Sequence, residues 1–377
     1  MSKPHILFFV TEDWYFWSHR RSIAIAALEN GYKVTVVTRV HQLGTEIESA
    51  GMNLIPIDIK RSSLNLFFEL KTIIEIFRIY RRENPDIVHQ VGLKPILYGT
   101  WAARFTGIRG IINAFGGLGH LFTAKSWSNK VIKKFIILIY RFTFSKDNIR
   151  LILQNPNDIQ QIVDHRITSD KKTILIRGAG VDLESFAYSK EPGGTPVIMY
   201  AGRMLWSKGV GDLVKSAEIL AKRKVECRIV LVGRPDPENP LSIPQKKLEE
   251  WVEGGFIEWW GYRDDIAQVL KESAIVVLPS VYGEGVPKIL IEAAAVGRPI
   301  IATDIPGCRE IVHDGINGLL VPGNDIEALT SAIERLLNDN DLRQIFGSEG
   351  RKLVENEFSD QIVSQATLEI YREFLRN

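Results

Sequence analysis

Two doubly wound α/β domains in tandem, each built on a parallel sheet, are what this sequence predicts. Three observations carry the expectation. Short runs of β-branched and aliphatic residues alternate with helical patterns, as in a parallel sheet with helices on both faces. The alternation breaks at Lys190–Pro196 (KEPGGTP), where proline and glycine are dense enough for a linker. The chain has 377 residues, long for one core and comfortable for two.

The first series opens with a strand at His5–Val10 and a helical pattern at Ser18–Asn30 that stops at Gly31. Further strands are expected at Tyr32–Thr38, Asn53–Ile59, Asp86–Gln90, Gly110–Ala114, Arg150–Gln154 and Thr173–Ile176, with a long helix over Leu64–Arg82. No G-x-G-x-x-G follows the first strand, so the pattern does not support a dinucleotide cofactor. Its place is taken by a turn that crowds Trp14, Tyr15 and Trp17 beside His19 and Arg20. At least two of those rings read best as a plug on the sheet. An aromatic face with a guanidinium group beside it also suits a sugar or a pyrophosphate. After the fifth strand, Gly116, Gly117 and Gly119 loosen the chain as a ligand-facing loop would, and His120 is the imidazole at hand. In Ser128–Lys146, Lys130, Lys133, Lys134 and Arg141 gather on one helical face, while Val131, Ile132, Phe135, Ile136, Leu138, Ile139 and Phe142 cover the other. Such a stripe reads first as a face buried in the core. An all-basic polar face also fits a helix lying on anionic lipid.

The second series places strands at Val197–Ala201, Arg228–Val232, Phe256–Trp259, Ile275–Leu278, Pro299–Ala302 and Gly318–Val321. The first of these ends in GRMLWSKG (202–209) and runs into a helix over Val210–Ala221. Two cations beside a helix N-terminus make a place for a dianionic group. Strand Ile275–Leu278 leads into a glycine-rich turn with Pro287 at the first helical position, then a helix over Ile289–Val296 that stops at Gly297. The loop lies at the carboxyl end of the strand, where open α/β sheets take ligands. Glu284 lies in that loop, and Glu292 in a helix that is otherwise apolar nearly all round. A carboxylate there needs a hydrogen-bonding partner. Lys288, one turn earlier, is the plain candidate; a hydroxyl-rich ligand is the sharper one. Phe358–Leu375 is a last helix with no strand after it.

Composition narrows the function classes. A net charge of +2, with 45% hydrophobic and 24% charged residues, makes no global case for nucleic acid. Cys227 and Cys308 are too few for a disulfide framework or a zinc site. The D-x-D at Asp339–Asp341 reads as a helix cap, and no histidine cluster has ligand spacing, so no metal is expected. The first apolar run is too short for a signal peptide, and no run reaches the length of a membrane span. A cytoplasmic chain is expected, with peripheral attachment to a membrane left open.

Glu284 and Glu292 flank seven residues. With P-S-x-x-x-E-G-x-P around the first and A-x-G-x-P-I-I-A-T-D-I-P-G after the second, the block resembles family 4 retaining glycosyltransferases. Gly202–Gly209 resembles the same family's G-R-x-x-x-x-K-G. The TEDWYFWSHR of residues 11–20 is similar to the T-x-D-W-x-F-x-S-H-R of a subgroup that builds bacterial surface polysaccharides. The resemblance implies the GT-B fold: an acceptor domain over 1–190, a donor domain over 191–357, and a helix over 358–377 crossing back to the first domain, with the ligand in the cleft between. It implies transfer, with retention, of a sugar from a nucleotide sugar, UDP-hexose or UDP-N-acetylhexosamine first, to a lipid-linked saccharide at the inner face of the cytoplasmic membrane. Neither cofactor nor metal is implied, and the basic face of residues 128–146 adds an anionic membrane surface as a partner. Arg203 and Lys208 would hold the diphosphate, and Glu292 the ribose. Glu284 would hold the sugar's hydroxyls, with Gly202, Gly233, Arg263, Gly285, Val286 and Pro287 lining the donor. Trp14, His19, Arg20 and Gly117 would meet the acceptor. Many members carry a histidine where Gly116 stands here, which leaves His120 as the candidate substitute. Two rivals stand beside this reading: a UDP-sugar 2-epimerase of the same architecture, and a non-catalytic sugar-nucleotide-binding protein.

Overall fold

The computed structural model describes residues 3–61, 65–118 and 130–376. The chain packs as two units, Met1–Gly180 with Asp360–Asn377, and Val181–Ser359. The changeover thus precedes the proline- and glycine-rich Lys190–Pro196, which belongs to the second unit. Val181 is buried in the second core and its N–H donates to the Phe358 carbonyl, 3.0 Å away. Glu191 is held there as well, by a bidentate pair with Arg343.

The first unit holds β1 (His5–Glu12), β2 (Lys33–Arg39), β3 (Asn53–Pro56), β4 (Ile87–Val91), β5 (Gly110–Ala114), β6 (Ile149–Leu153) and β7 (Thr173–Leu175). They pair in the order β3-β2-β1-β4-β5-β6-β7, all parallel. Both faces are covered, so each strand is apolar on alternate sides at once. Ile6, Phe8 and Val10 of β1 face a core shared with Tyr371 and Phe374, while Leu7 and Phe9 face the core under Ile76, Ile96 and Tyr140. Helices Arg21–Glu29 and Asp360–Arg376 cover the first face. Helices Leu66–Glu83, Leu93–Ala103 and Lys130–Thr143 cover the second. Asn65 caps the first of these by accepting from the Phe67 and Phe68 N–H groups, a contact that contributes about 1 kcal/mol.

The stretch expected as an aromatic turn is instead a short helix, Asp13–His19. The buried Asp13 carboxylate starts it, accepting N–H groups of Trp14, His41, Gln42 and Leu43 at 2.7 to 3.0 Å. Three of those donors come from the loop that follows β2, out of reach of any local pattern.

The second unit holds β8 (Val197–Ala201), β9 (Arg228–Val232), β10 (Glu258–Trp259), β11 (Ile275–Leu278), β12 (Ile300–Thr303) and β13 (Gly318–Val321). Their order is β10-β9-β8-β11-β12-β13, again parallel. The order reverses between β8 and β11. At such a switch point the loops leave in opposite directions and open a crevice at the strands' carboxyl ends. Asp339 caps helix Asn340–Glu357 through the Leu342 N–H at 2.9 Å, the role read for it from the sequence.

Candidate functional site

The loops that leave β8 and β11 are fastened to each other. The Val281 N–H donates to the Ser207 carbonyl at 2.9 Å. Gly209 has φ +71°, and a Cβ there would lie 1.9 Å from the Pro279 carbonyl oxygen. Only glycine permits both the left-handed backbone and so close an approach. Lys208 is thereby carried to Glu284, with which it forms an ion pair; the two side chains are 15% and 17% exposed. The Ser280 hydroxyl donates to the same carboxylate oxygen at 2.9 Å.

Electrostatics agree with that geometry. Burial pushes the Glu284 carboxyl up, but the Lys208 ammonium, the Ser280 hydroxyl and the nearby Arg203 outweigh it and hold the pKa below its ordinary value. Tyr200, buried beneath, donates its hydroxyl to the Arg203 carbonyl at 2.7 Å. Burial, and then the Glu284 charge, drive its pKa up. Arg203 itself is 42% exposed and reaches Asp236 at 2.9 Å. Both cations expected to hold a diphosphate therefore stand at the switch point, each resting on a carboxylate.

Other donor-side candidates fall around this pair. Glu292 is buried and pairs with Lys288, so the plain reading of that carboxylate holds in this structure. Pro287 is the N-cap of helix Lys288–Ala295, not its first residue. Gly285 and Val286 are buried just before it. Gly202 follows β8, and Gly233 follows β9, accepting from the Trp259 indole at 2.8 Å and donating to the Gly261 carbonyl at 2.7 Å. Arg263 turns outward to Asp265. Two groups were not signalled by the sequence: Asp236, which holds Arg203, and Ser207; Ser280 lay in a quoted motif without a role. The Ser207 hydroxyl is buried with no hydrogen-bond partner among the described residues.

In the first unit, Trp14 is exposed, and Arg61 lies 5.9 Å from its ring. Tyr15 and Trp17 pack on the core, as plug residues do, and Tyr15 stacks on His19 at 4.2 Å. A Cβ at Gly116 would lie 3.2 Å from the Tyr15 hydroxyl, so a larger side chain there would press on this phenol. Gly117 has φ +117°. Arg20 corrects the sequence reading: it is 3% exposed and turned inward, where its charge bears on His89 and Tyr371. His120 lies outside the described residues. Among the described residues, no three His, Cys, Asp or Glu side chains gather as a metal site.

Residues 195–339 match the family described as glycosyl transferases group 1, and residues 5–155 the one described as glycosyl transferase 4-like. The N,N'-diacetylbacillosaminyl-diphospho-undecaprenol alpha-1,3-N-acetylgalactosaminyltransferase of Campylobacter jejuni is 26% identical, over 95% of this chain and 96% of its own. The UDP-Gal:alpha-D-GlcNAc-diphosphoundecaprenol alpha-1,3-galactosyltransferase of Escherichia coli is 26% identical, over 79% of this chain and 78% of its own. A glycosyltransferase structure from Rickettsia africae has a TM-score of 0.78 at 22% identity, covering 100% of both chains. The two-sheet architecture is that of the GT-B fold.

Proposed function

As the chain belongs to the glycosyltransferases, 4-like in its first half and group 1 in its second, we propose that it moves a sugar from a nucleotide diphosphate to a lipid-linked saccharide, with retention. The observation that carries this is the Lys208–Glu284 pair, with Arg203 beside it, at the switch point of the second sheet. A donor diphosphate competes with the two carboxylates for these cations. Once Lys208 and Arg203 turn to it, they stabilise the charge that grows as the bond from the anomeric carbon to the phosphate breaks. Glu284, released, accepts hydroxyls of the sugar and favours positive charge at the anomeric carbon. The acceptor oxygen bonds on the face the phosphate leaves, and its proton departs with the phosphate. Glu292, freed from Lys288, would hold the ribose. These cations take the part a divalent ion could otherwise play.

The relatives' names support a diphosphopolyprenol-linked acceptor and a UDP-sugar donor. Among the described residues no helix is long and apolar enough to cross a membrane. A peripheral enzyme at the cytoplasmic face of the membrane fits these points.

Steady release of nucleoside diphosphate on adding both donor and acceptor is the test. Lys208→Ala should lower donor affinity or turnover by roughly one to two decades, since a charge-assisted bond contributes ~1.5–3 kcal/mol. Unchanged kinetics would sink the assignment. Conversion of the donor without any acceptor would favour the epimerase.

A further inference from the structure

We infer that the outward face of helices Leu66–Glu83, Leu93–Ala103 and Lys130–Thr143 is a membrane-binding site: an apolar groove for the hydrocarbon of an anionic bilayer, rimmed by arginines for its headgroups. The inference deepens the proposed function and rests on the reading of the acceptor as lipid-linked.

Along helix Leu66–Glu83, Phe67, Leu70, Lys71, Ile74, Arg78 and Arg81 fall at the spacing of one face, and all are exposed. The face is apolar in its first half and basic in its second. Phe67 is 87% exposed, and Phe105, just past helix Leu93–Ala103, is 77% exposed. Helix Lys130–Thr143 differs from the sequence expectation that its apolar stripe is buried against the core. Ile136, Ile137 and Tyr140 do pack inward, but Phe135, Leu138 and Phe142 stand exposed beside Lys134 and Arg141. Between the three helices lies an open groove of about 410 Å³, lined by Ile73, Ile74, Phe77, Trp101, Phe105 and Phe142.

Scattered exposed apolar residues are ordinary; a contiguous field of large ones around a groove marks an interaction surface. The charges say which kind. Arg104 lies 4.5 Å over the Phe142 ring and Arg81 lies 5.8 Å from the Phe77 ring. Arg78 and Arg82 border the other end of the groove. Cations on long stems beside inserted aromatics are what an anionic lipid surface selects. The acidic residues of the first helix leave Arg78 and Arg81 uncancelled: Glu69 is turned to Lys94 and Tyr98, Glu83 neutralises, of these arginines, only its neighbour Arg82, and Glu75 sits at the flank. A second copy of the chain would set arginine against arginine.

The test is co-sedimentation of the full chain with phosphatidylcholine vesicles, with and without phosphatidylglycerol, and without donor or acceptor. The parent should bind the phosphatidylglycerol vesicles and bind the neutral ones far less. Phe67→Ser with Phe105→Ser, both at exposed positions, should weaken that binding roughly tenfold or more. Arg78→Gln with Arg81→Gln should weaken it roughly fivefold per charge. Transfer to a short-chain, water-soluble acceptor diphosphate should be unchanged in both. Equal binding to the two vesicle types, or a serine variant that binds like the parent, overturns the inference. So does a parent dimer that the serine variant dissolves, which would make a second copy the occupant. Vesicle binding as expected with no transfer to any lipid-linked acceptor supports this site and overturns the acceptor reading instead.

Discussion

At the scale of single residues, the Glu284 carboxylate is governed by a contest between burial, which raises its pKa, and Lys208, Ser280 and Arg203, which lower it and prevail. A folded-state pKa below the ordinary 4.5 means that acid protonates the unfolded chain first. The stabilisation is therefore present above pH 4.5 and is lost as the pH falls through the lower folded value. Glu284→Gln should flatten the acid limb of a urea-denaturation pH profile, and should lower kcat far more than it raises the donor KM. An acid limb identical to the parent's would show that the ion pair contributes nothing. Both members of the pair were legible in the sequence, each through its own motif. Their partnership was not, because 76 residues separate them and only the adjacency of β8 and β11 brings them together. Arg20 misled for a similar reason. It follows exposed and half-exposed neighbours in sequence, yet it is buried, and its charge bears on Tyr371 from the other end of the chain.

At the scale of elements, the donor-side site depends on two loops approaching to backbone distance at Gly209. Gly209→Ala brings a methyl group against the Pro279 carbonyl and strains a left-handed residue. If the site takes a UDP-sugar as proposed, UDP should raise the parent's melting temperature, and this variant should lower that temperature and abolish the rise. Gly193→Ala is the control, since nothing lies within 4 Å of its Cβ position. If the two variants melt alike with and without UDP, the approach at Gly209 is dispensable. The central strands were legible because they are buried on both faces and so read as unbroken apolar runs, whereas β3, β7 and β10 are only partly buried. Helix Asp13–His19 was not, because its starting carboxylate is satisfied from the loop after β2. The outward apolar face of Lys130–Thr143 was hidden for another reason. Periodicity finds a stripe without saying whether anything covers it.

At the scale of the whole molecule, two units of similar size carry separate cores, and the first is completed by the last helix. Phe374 packs against β5 so closely that a Cβ at Gly110 would lie 2.6 Å from its ring, and the Tyr371 hydroxyl meets His89 at 2.6 Å. Ending the chain at Ser359 should therefore lower the stability of the first unit, while the proposed stabilisation of the second unit by UDP should persist. Proteolysis followed by fragment identification separates the two, and a truncated chain as resistant as the parent would make the helix an ornament. Alternating patterns revealed both sheets, but composition placed the boundary at Lys190–Pro196, since nothing local announces that Arg343 will claim Glu191. The closing helix also sets an order of birth. Residues 1–180 leave the ribosome with one face of their sheet covered only in part, by Arg21–Glu29, and wait for nearly two hundred more residues before Asp360–Arg376 arrives. At 5–20 residues per second that is roughly ten to forty seconds, during which the second unit has all its own residues before the first does. The half begun first matures last. A stop codon at or just after Asp360 would strike the amino-terminal half of the molecule.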